Sequence, residues 1–351
     1  MRSVAPPPRS ERAGRNGPTI RDVARLAEVS IGTASKALNA GGRLKQETRD
    51  KVLNAAREIG YRPNSLAQSL HRTRSMTVGI ISNDNFGRFT LPIVQALEQQ
   101  LADKGIAIFM CNATDDAARE RQHLDQLLGK RIDGLVVTAR RADERPPVGP
   151  LPPGLPVVYV FSQPDDHSAL SLVPDDEGGA RLATHHLSAG GRKRIAHITG
   201  PERFEAVRLR HRGYLTAMAQ SGITPLESDY LSGAWSEEWG REAVARLFDG
   251  KRDTPDGLFC GNDQIARGAV EALRDRKVDV PGRVAVVGFD NWNVIAEAAR
   301  PPLSSVDMNL SALGSEAGRM LLAMIGGERA SGTLRLPCTL VIRQSSQQPA
   351  H

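Results

Sequence analysis

The sequence has few cysteines, few aromatic residues and no long apolar run. Its three cysteines, Cys111, Cys260 and Cys338, stand far apart among 351 residues and lack the spacing of a zinc site or a disulfide framework. Such usage is typical of a reducing compartment. No apolar stretch approaches the roughly 18 residues of a membrane span, and the charged N-terminus has no apolar segment of a secretory signal. We therefore expect a cytoplasmic protein without a membrane partner.

The sequence motifs of common enzymes are also missing. There is no Walker A loop, no G-x-S-x-G elbow and no H-E-x-x-H pair. The adjacent pairs His185-His186 and Asp175-Asp176 would point in different directions on a helix, which makes them poor metal or acid–base pairs. We expect no catalytic residue, no metal and no cofactor.

The charge of the chain is unevenly placed. Residues 1–75 hold 15 Lys and Arg against 6 Asp and Glu, whereas the remainder holds 31 against 34. A basic module on a near-neutral body is typical of nucleic-acid binding. Residues 1–17, rich in Pro, Arg and Gly, are predicted to be disordered.

The residues after this extension predict a module of three short helices. Thr19 and Asp22 form a T-x-x-D capping box before an apolar face of helical period, and Ser30 is a good N-cap for a second helix. A third helix is predicted over residues 46–59. Two short helices joined by a three-residue turn form a helix-turn-helix, whose second helix enters the DNA major groove. An ordinary helix hairpin is the alternative.

From Met76 onward, short apolar β-rich runs alternate with helical patterns. Near-continuous apolar strands separated by helices predict parallel sheets covered on both faces. About 270 residues exceed one core, so the fold class is α/β with two doubly wound lobes, and a ligand is expected in the cleft between them. The helices are predicted at residues 89–104, 115–129, 175–189, 205–221, 236–249, 262–276 and 309–325.

Several sequence blocks resemble the lactose-repressor (LacI/GalR) family of bacterial transcription factors over residues 18–346. They are TIRDVARLAEVS, TASKALN, ETRDKVLNAAREIGYRPNSLAQSL, RLRHRGYLTAM, CGNDQIARGAVEAL, VAVVGFDN, RPPLSSVDMN and LVIRQSS. The resemblance implies a helix-turn-helix headpiece, a hinge helix that forms on DNA, and a two-lobed core like that of periplasmic sugar-binding proteins. It also implies a homodimer, because the chain ends at SSQQPAH without the leucine heptads of tetrameric members.

The domains expected on this basis follow the chain in order. They are an extension (1–17), a headpiece (18–62), a hinge helix and linker (63–75), a two-lobed core (76–346) and a tail (347–351). Within the core, lobe 1 is expected to comprise about 76–175 and 307–335, and lobe 2 about 176–303 and 336–346.

The resemblance also implies which residues contact double-stranded operator DNA. Ile31, Gly32 and Lys36 correspond to positions that read base edges, and Lys36 could donate to guanine. Leu70 aligns with a leucine that is wedged into the minor groove, and a symmetric dimer predicts a pseudo-palindromic operator. Phosphate, base or groove contacts are expected from Thr19, Ser30, Thr33, Ser35, Asn64 and Ala67.

Effector contacts are likewise implied by the family's cleft. Arg210 matches an arginine that binds ligand hydroxyls or carboxylates. Asp290 matches a carboxylate that accepts hydrogen bonds from sugar hydroxyls, and Asn262 matches an amide that contacts the ligand. Trp235 matches an aromatic residue that stacks on a pyranose ring. The opposite wall is expected from Phe86 and Phe89, with Phe161 and Asp307 as further candidates.

Two departures from relatives bear on the ligand. Purine-binding members carry an arginine where this chain has Phe204, and lactose-type members carry glutamine where it has Met308. These differences favour a neutral sugar or oligosaccharide over a purine or a simple galactoside. The function expected is that of a repressor controlled by such a ligand. The alternative is the same regulator with a non-sugar effector, or one that acts as an activator or as a corepressor-dependent repressor. Three other classes of protein were considered: a periplasmic binding protein, an enzyme and a nucleoid protein. None of these classes accounts for both the headpiece and the cleft.

Overall fold

The structure is a computed structural model that describes residues 17–38, 44–61, 74–85, 87–167, 169–250 and 253–347. The chain divides into two compact units, residues 1–75 and 76–351. Most of the predicted extension and hinge helix lie outside the described residues, as do Asn64, Ala67, Leu70 and Phe86. Within the described ranges, no helix is long and apolar enough to cross a membrane.

The first unit contains three helices, α1 (Ile20–Leu26), α2 (Ile31–Leu38) and α3 (Gln46–Glu58). Their positions confirm the helices predicted from the sequence. The fully buried residues of this unit are only valines and alanines, and the larger apolar side chains around them are half-buried, so the core is small. The buried core is Val23, Ala24, Ala27, Ala34, Ala37, Val52, Ala55 and Ala56.

The second unit alternates strands and helices, as the sequence predicts. Its strands are β1 (Thr77–Ser82), β2 (Ala107–Asn112), β3 (Gly134–Thr138), β4 (Glu144–Arg145), β5 (Val157–Val160), β6 (Gln163–Pro164), β7 (Leu170–Pro174), β8 (Ile195–Thr199), β9 (Tyr230–Ser232), β10 (Gly257–Cys260), β11 (Ala285–Phe289), β12 (Ser304–Asp307), β13 (Gly332–Leu336) and β14 (Thr339–Val341). Its α-helices are α4 (Thr90–Ala102), α5 (Ala117–Gly129), α6 (Asp176–Ala189), α7 (Glu205–Gln220), α8 (Glu237–Leu247), α9 (Asp263–Asp275), α10 (Asn293–Ala296) and α11 (Leu310–Ile325).

Two six-stranded sheets define the two lobes of this unit. The first sheet has the order β13-β7-β5-β3-β1-β2 and the second β14-β12-β11-β10-β8-β9. The inner strands are buried along their whole length, because helices cover both faces. The two-lobed α/β fold predicted from the sequence is confirmed.

Strands β14 and β2 differ from the buried parallel strands that were predicted. β14 runs antiparallel to β12, which is common for an edge strand added to a parallel sheet. β2 lies at the edge of the first sheet and leaves Phe109 and Met110 about two-fifths exposed, at 41% and 42%. Its apolar run therefore reflects strand propensity rather than burial on both faces.

The chain passes between the lobes three times, after β7, after β12 and after β13. Hydrogen bonds join the three crossings. Asp175 donates its backbone N–H to Leu336 O at 2.8 Å, and Asn309 Nδ2 donates to Pro337 O at 2.7 Å. Cys338 Sγ donates to Asp175 O at 3.3 Å. The crossings therefore form one connected hinge on which both sheets depend.

Candidate functional site

The predicted cap of α1 is present in the first unit. Asp22 Oδ2 accepts hydrogen bonds from the Thr19 backbone N–H at 2.9 Å and from its hydroxyl at 2.7 Å. These bonds, with Arg25 nearby, hold the pKa of Asp22 below its usual value. Thr19 therefore has a structural role at the start of α1, where the free N–H groups of a helix also suit a phosphate.

The turn before α2 places Glu28 in the left-handed region, at φ 50°. Glycine has little penalty in this region, whereas a residue with a Cβ is strained there by about 1–2 kcal/mol. The side chain of Glu28 pairs with Lys51 Nζ on α3 at 2.7 Å, and this contact lowers the pKa of the carboxyl. The ion pair is exposed, so it offsets only part of the strain.

Helix α2 presents its DNA-reading candidates to solvent. Ile31 is 48% exposed, and Gly32 and Lys36 are also exposed, whereas Ala34 and Ala37 face the core. Ser30 Oγ accepts from Thr33 N at 3.1 Å and hydrogen-bonds Thr33 Oγ1 at 2.9 Å. Ser35 is half-buried. The base-contacting candidates therefore share one accessible face, and their contacts with DNA stay predictions.

In the second unit, a cavity of about 370 Å³, which we name the main cavity, lies between the two lobes. This volume is within the ~300–1,000 Å³ of ordinary ligand pockets. The lining brings together six residues that the sequence predicts as effector contacts, although they come from six separate segments. They are Phe89, Phe161, Arg210, Trp235, Asn262 and Asp290.

Aromatic rings form two walls of this cavity. Phe89 and Phe161 stack with their ring centroids 5.0 Å apart, and Phe204 lies 6.5 Å from Trp235 by the same measure. The Trp235 ring packs against Gly200, where a Cβ would lie 2.2 Å from a ring atom. Any side chain at that glycine would therefore displace the indole.

Arg210 lies at the floor of the cavity and is already bound by the protein. Its Nε donates to Asp176 Oδ1 at 2.8 Å, its Nη1 donates to Gly261 O, and its guanidinium lies 3.6 Å from the Phe289 centroid. The Arg210 and Asp176 side chains are 5% and 3% exposed. Much of the hydrogen-bonding capacity that the sequence assigns to a ligand is therefore used within the protein.

Asp176 was not predicted as a site residue, because it is one of two adjacent aspartates. Asp175 caps α6 by accepting from Gly178 N at 2.9 Å, whereas Asp176 points inward to Arg210. Burial raises the pKa of Asp176, and the positive charge of Arg210 partly offsets this effect. A carboxylate that directly follows a buried strand was the available signal, because such positions lie at the ligand-binding edge of a sheet.

Asp290 follows β11 with a φ of 97° and faces the cavity. Its carboxylate forms an ion pair with Arg88, a residue of the opposite lobe that the sequence reading passed over beside Phe89. The Arg88 loop is held by Asp84, whose Oδ2 accepts from Phe89 N at 2.9 Å and from Thr90 N at 3.0 Å. Arg88 is therefore an additional residue of the site.

Asn262 is both a cap and a cavity residue. Its Oδ1 accepts from Ile265 N at 2.8 Å at the start of α9, which leaves the amide NH₂ as the group suited to donate to a ligand. Asp307, the weaker candidate, instead accepts from Asn291 Nδ2 at 2.9 Å and from Asn309 N at 2.7 Å beside a lobe crossing. The structure therefore assigns Asp307 a hinge contact and places it outside the lining of the main cavity.

The lining of the cavity combines aromatic rings with a small number of polar groups. Met308 is buried, with its Sδ 3.9 Å from Arg210 Nη2. Among the described residues, no group of three His, Cys, Asp or Glu side chains could hold a metal ion. The aromatic walls, one amide and two paired carboxylates can accept a polar, ring-shaped molecule.

Known proteins match both units of the chain. Residues 19–64 match the family described as bacterial regulatory proteins, lacI family, and residues 184–346 match a periplasmic binding protein-like domain. Catabolite control protein A of Priestia megaterium is 30% identical over 331 residues, which cover 94% of this chain and 99% of that protein. The HTH-type transcriptional repressor PurR of Mannheimia succiniciproducens is 29% identical, with 95% and 99% covered.

Two solved structures are similar along the same length. The Lac repressor dimer bound to operator and the anti-inducer ONPF has a TM-score of 0.77 at 25% identity, covering 95% of this chain and all of that one. The complex of the transcriptional regulator CelR with cellobiose has a TM-score of 0.63 at 30% identity, covering 94% and 100%. The chain therefore belongs to the lacI family of bacterial regulatory proteins, as a DNA-binding transcriptional repressor with a periplasmic-binding-protein-like ligand domain rather than an enzyme.

Proposed function

We propose that this repressor acts in the cytoplasm, binds a pseudo-palindromic operator as a homodimer, and is controlled by a neutral carbohydrate in the cavity between its lobes. The observation that carries the proposal is the composition of that cavity. Stacked aromatic rings lie beside the Asp290 carboxylate and the Asn262 amide. Rings of this kind cover the apolar face of a sugar, and the polar groups bind its hydroxyls.

The similarity to CelR supports a carbohydrate, because that regulator was solved with cellobiose. The position of Phe204 argues against a purine, since purine-binding members are expected to carry an arginine there. Phe204 lies on the cavity wall with the guanidinium groups of Arg141 and Arg203 over its ring, at 4.9 and 4.5 Å. Phe204 itself therefore supplies an aromatic ring at the position where a purine site would supply an arginine.

The DNA side of the proposal rests on α2 and on two-fold symmetry. Ile31, Gly32 and Lys36 would reach base edges, while Thr19, Ser30, Thr33 and Ser35 would bind phosphates or bases. The similarity to the operator-bound Lac repressor dimer supports a homodimer. Two identical headpieces require two related half-sites in the DNA, and these half-sites form a pseudo-palindrome.

Ligand control requires that the carbohydrate bind one arrangement of the protein better than another. A differential affinity of about 1–3 kcal/mol changes operator affinity by roughly 5- to 150-fold. We propose that ligand releases the operator. The alternative sign, in which ligand strengthens DNA binding, would appear in the same measurement as the opposite change.

A selection experiment tests DNA binding and ligand control together. Purified full-length protein is incubated with a pool of random duplexes, with and without cellobiose, and retained DNA is sequenced. We expect a two-fold symmetric motif whose retention falls with salt, as phosphate contacts require, and falls further with cellobiose. Failure to enrich any motif would contradict sequence-specific binding.

The cavity is tested with a matched pair of aromatic variants. Trp235→Leu removes a ring from the cavity wall, whereas Phe109→Leu changes an exposed ring on the edge strand β2. We expect only the Trp235→Leu variant to lose its response to carbohydrate while it still binds the selected operator. Equal responses from both variants would remove the cavity from the proposal.

A further inference from the structure

A second cavity, which we name the side pocket, lies at the carboxyl edge of the first sheet. Its volume is about 210 Å³ and its lining lies entirely in residues 83–162. Asn83 follows β1, Arg140 and Arg141 follow β3, and Ser162 follows β5. The chain order reverses between β1 and β3 in this sheet, and such a switch point is where open α/β sheets bind ligands.

Two buried polar atoms of residues that line this pocket have no hydrogen-bond partner among the described residues. Ser162 is fully buried, and its Oγ has no partner among the residues that the structure describes. The Nε atom of Arg140 is likewise buried and unsatisfied within that part of the chain, whereas Arg141 Nε lies 3.2 Å from Asp143 Oδ2 in an ion pair. An unpaired buried polar atom costs about 1–3 kcal/mol. A ligand that carries hydroxyl groups into the pocket would satisfy these atoms.

The side pocket adjoins the main cavity between the lobes. Arg140, Arg141 and Asp143 line both of them. A volume of about 210 Å³ is below the ~300 Å³ of a small independent ligand site. We therefore treat the side pocket as an extension of the main cavity, reached past these three side chains.

The two cavities differ in chemistry. Both cavities contain arginines, but of the two only the main cavity has aromatic side chains in its lining, and in the side pocket the carboxylates outnumber the three arginines, Arg140, Arg141 and Arg145. Arg145 is paired with Glu120 at 2.6 Å and Arg140 with Asp115 at 3.0 Å. Excess negative charge disfavours an anionic ligand group, while carboxylates accept readily from hydroxyls. The carboxylates are Asp115, Asp116, Glu120, Asp143 and Glu144.

From these observations we infer that the effector is a neutral oligosaccharide of at least two units, one ring in the main cavity and the next in the side pocket. Ser162 Oγ and the Nε atom of Arg140 bind hydroxyls of the second unit. This inference rests on the proposed carbohydrate function and adds to it a second binding subsite. A monosaccharide would occupy the main cavity alone and would bind more weakly.

The test compares ligand length in wild type and in two matched variants. Ala117 and Ala118 are neighbouring exposed residues at the start of α5, and only Ala117 lines the side pocket. Ala117→Phe narrows the pocket, while Ala118→Phe adds the same ring outside its lining. Full-length proteins are titrated calorimetrically with glucose, cellobiose and cellotriose, and with galactose, lactose, maltose and maltotriose.

We expect at least one disaccharide to bind wild-type protein about tenfold or more tighter than its monosaccharide, as several added hydrogen bonds require. Ala117→Phe should remove that advantage and leave monosaccharide affinity unchanged, and Ala118→Phe should behave as wild type. If monosaccharides bind as tightly as disaccharides, or Ala117→Phe keeps the advantage, the inference is overturned while the proposed function stands. If no sugar in the panel binds, the carbohydrate function fails and the second subsite fails with it.

Discussion

The guanidinium of Arg88 in the first lobe forms an ion pair with the carboxylate of Asp290 in the second, and these side chains are only 14% and 6% exposed. The same guanidinium lies 4.2 Å from the ring centroid of Trp292 and 4.7 Å from that of Phe89. A carboxylate expected to serve the effector therefore also has a cationic partner across the cleft. Contact between the lobes is built from the chain's own side chains.

The first prediction concerns the strength of this pair. Arg88→Met and Asp290→Asn should each lower the free energy of unfolding, and the double variant should lose less than the two single losses combined. We expect a coupling free energy of about 1–3 kcal/mol, because the pair is largely shielded from water. Urea unfolding of the four proteins measures it.

The exposed pair Arg319–Glu316 on α11, 2.6 Å apart, is the control. The same cycle made with Arg319→Met and Glu316→Gln should give about 0–1 kcal/mol. A coupling at Arg88–Asp290 no larger than this control would show that the cleft pair does not hold the lobes.

The second prediction separates stability from ligand contact at Arg210. Arg210→Met leaves the buried Asp176 carboxylate without its guanidinium, and breaking such a pair costs about 3–5 kcal/mol. Adding Asp176→Asn should recover most of that loss, since no unpaired charge is then buried. Chemical denaturation of both variants decides the matter.

A double variant as unstable as Arg210→Met alone would contradict this account. If it holds, loss of sugar binding in a single Arg210 variant reflects unfolding as much as a missing ligand contact. The Asp176→Asn background is then the proper reference for measuring ligand affinity.

The third prediction is a pH dependence caused by Asp263. This carboxyl accepts from Ser305 Oγ at 2.5 Å and from Trp292 N at 2.7 Å, and burial, with the nearby charge of Asp290, raises its pKa from 3.8 to about 8. The folded chain therefore holds this proton more tightly than the unfolded chain. Its contribution to stability is full below pH 4 and is lost as pH rises toward 8.

Asp263→Asn removes this titration while the amide can still accept from Trp292 N. The melting temperature of the variant minus that of wild type should therefore rise steadily between pH 5 and pH 8. Asp275→Asn, at the exposed end of the same helix, should show a constant difference. A flat difference for Asp263→Asn as well would refute the assigned pKa.

The fourth prediction concerns Gly32 in α2. A Cβ at this position would meet only Ser30 Oγ, at 3.8 Å, so Gly32→Ala should stabilise the first unit by about 0.5–1 kcal/mol. If the backbone approaches DNA closely here, the same change should weaken binding to the selected operator. Calorimetry and fluorescence anisotropy on the full-length protein measure the two effects.

Gly129→Ala, at the end of α5 where a Cβ would meet nothing within 4 Å, is the matched control. It should leave operator affinity unchanged. Operator affinity that is equal in Gly32→Ala and wild type would remove Gly32 from the DNA-contacting residues.

The cavity shows where sequence reasoning succeeded and where it stopped. Phe89, Phe161, Trp235, Asn262 and Asp290 follow strands or stand in sequence blocks of known order, so their place at one cleft was predictable from topology. Arg88 and Asp176 were missed because their roles depend on partners 202 and 34 residues away in sequence. A helical period or a motif does not report such distances.

The sequence by itself determined the helices of the headpiece, the alternation of strands and helices in the core, and the family. These features were accessible because periodicity, helix caps and apolar runs depend on a few neighbouring residues. Only the tertiary structure decided that Arg210 is bound by Asp176, that Asp290 is bound by Arg88, and that a polar side pocket adjoins the aromatic cavity. These features depend on side chains from distant segments that meet at the edges of two sheets. Burial there raises the free-energy cost of a charge that has no partner.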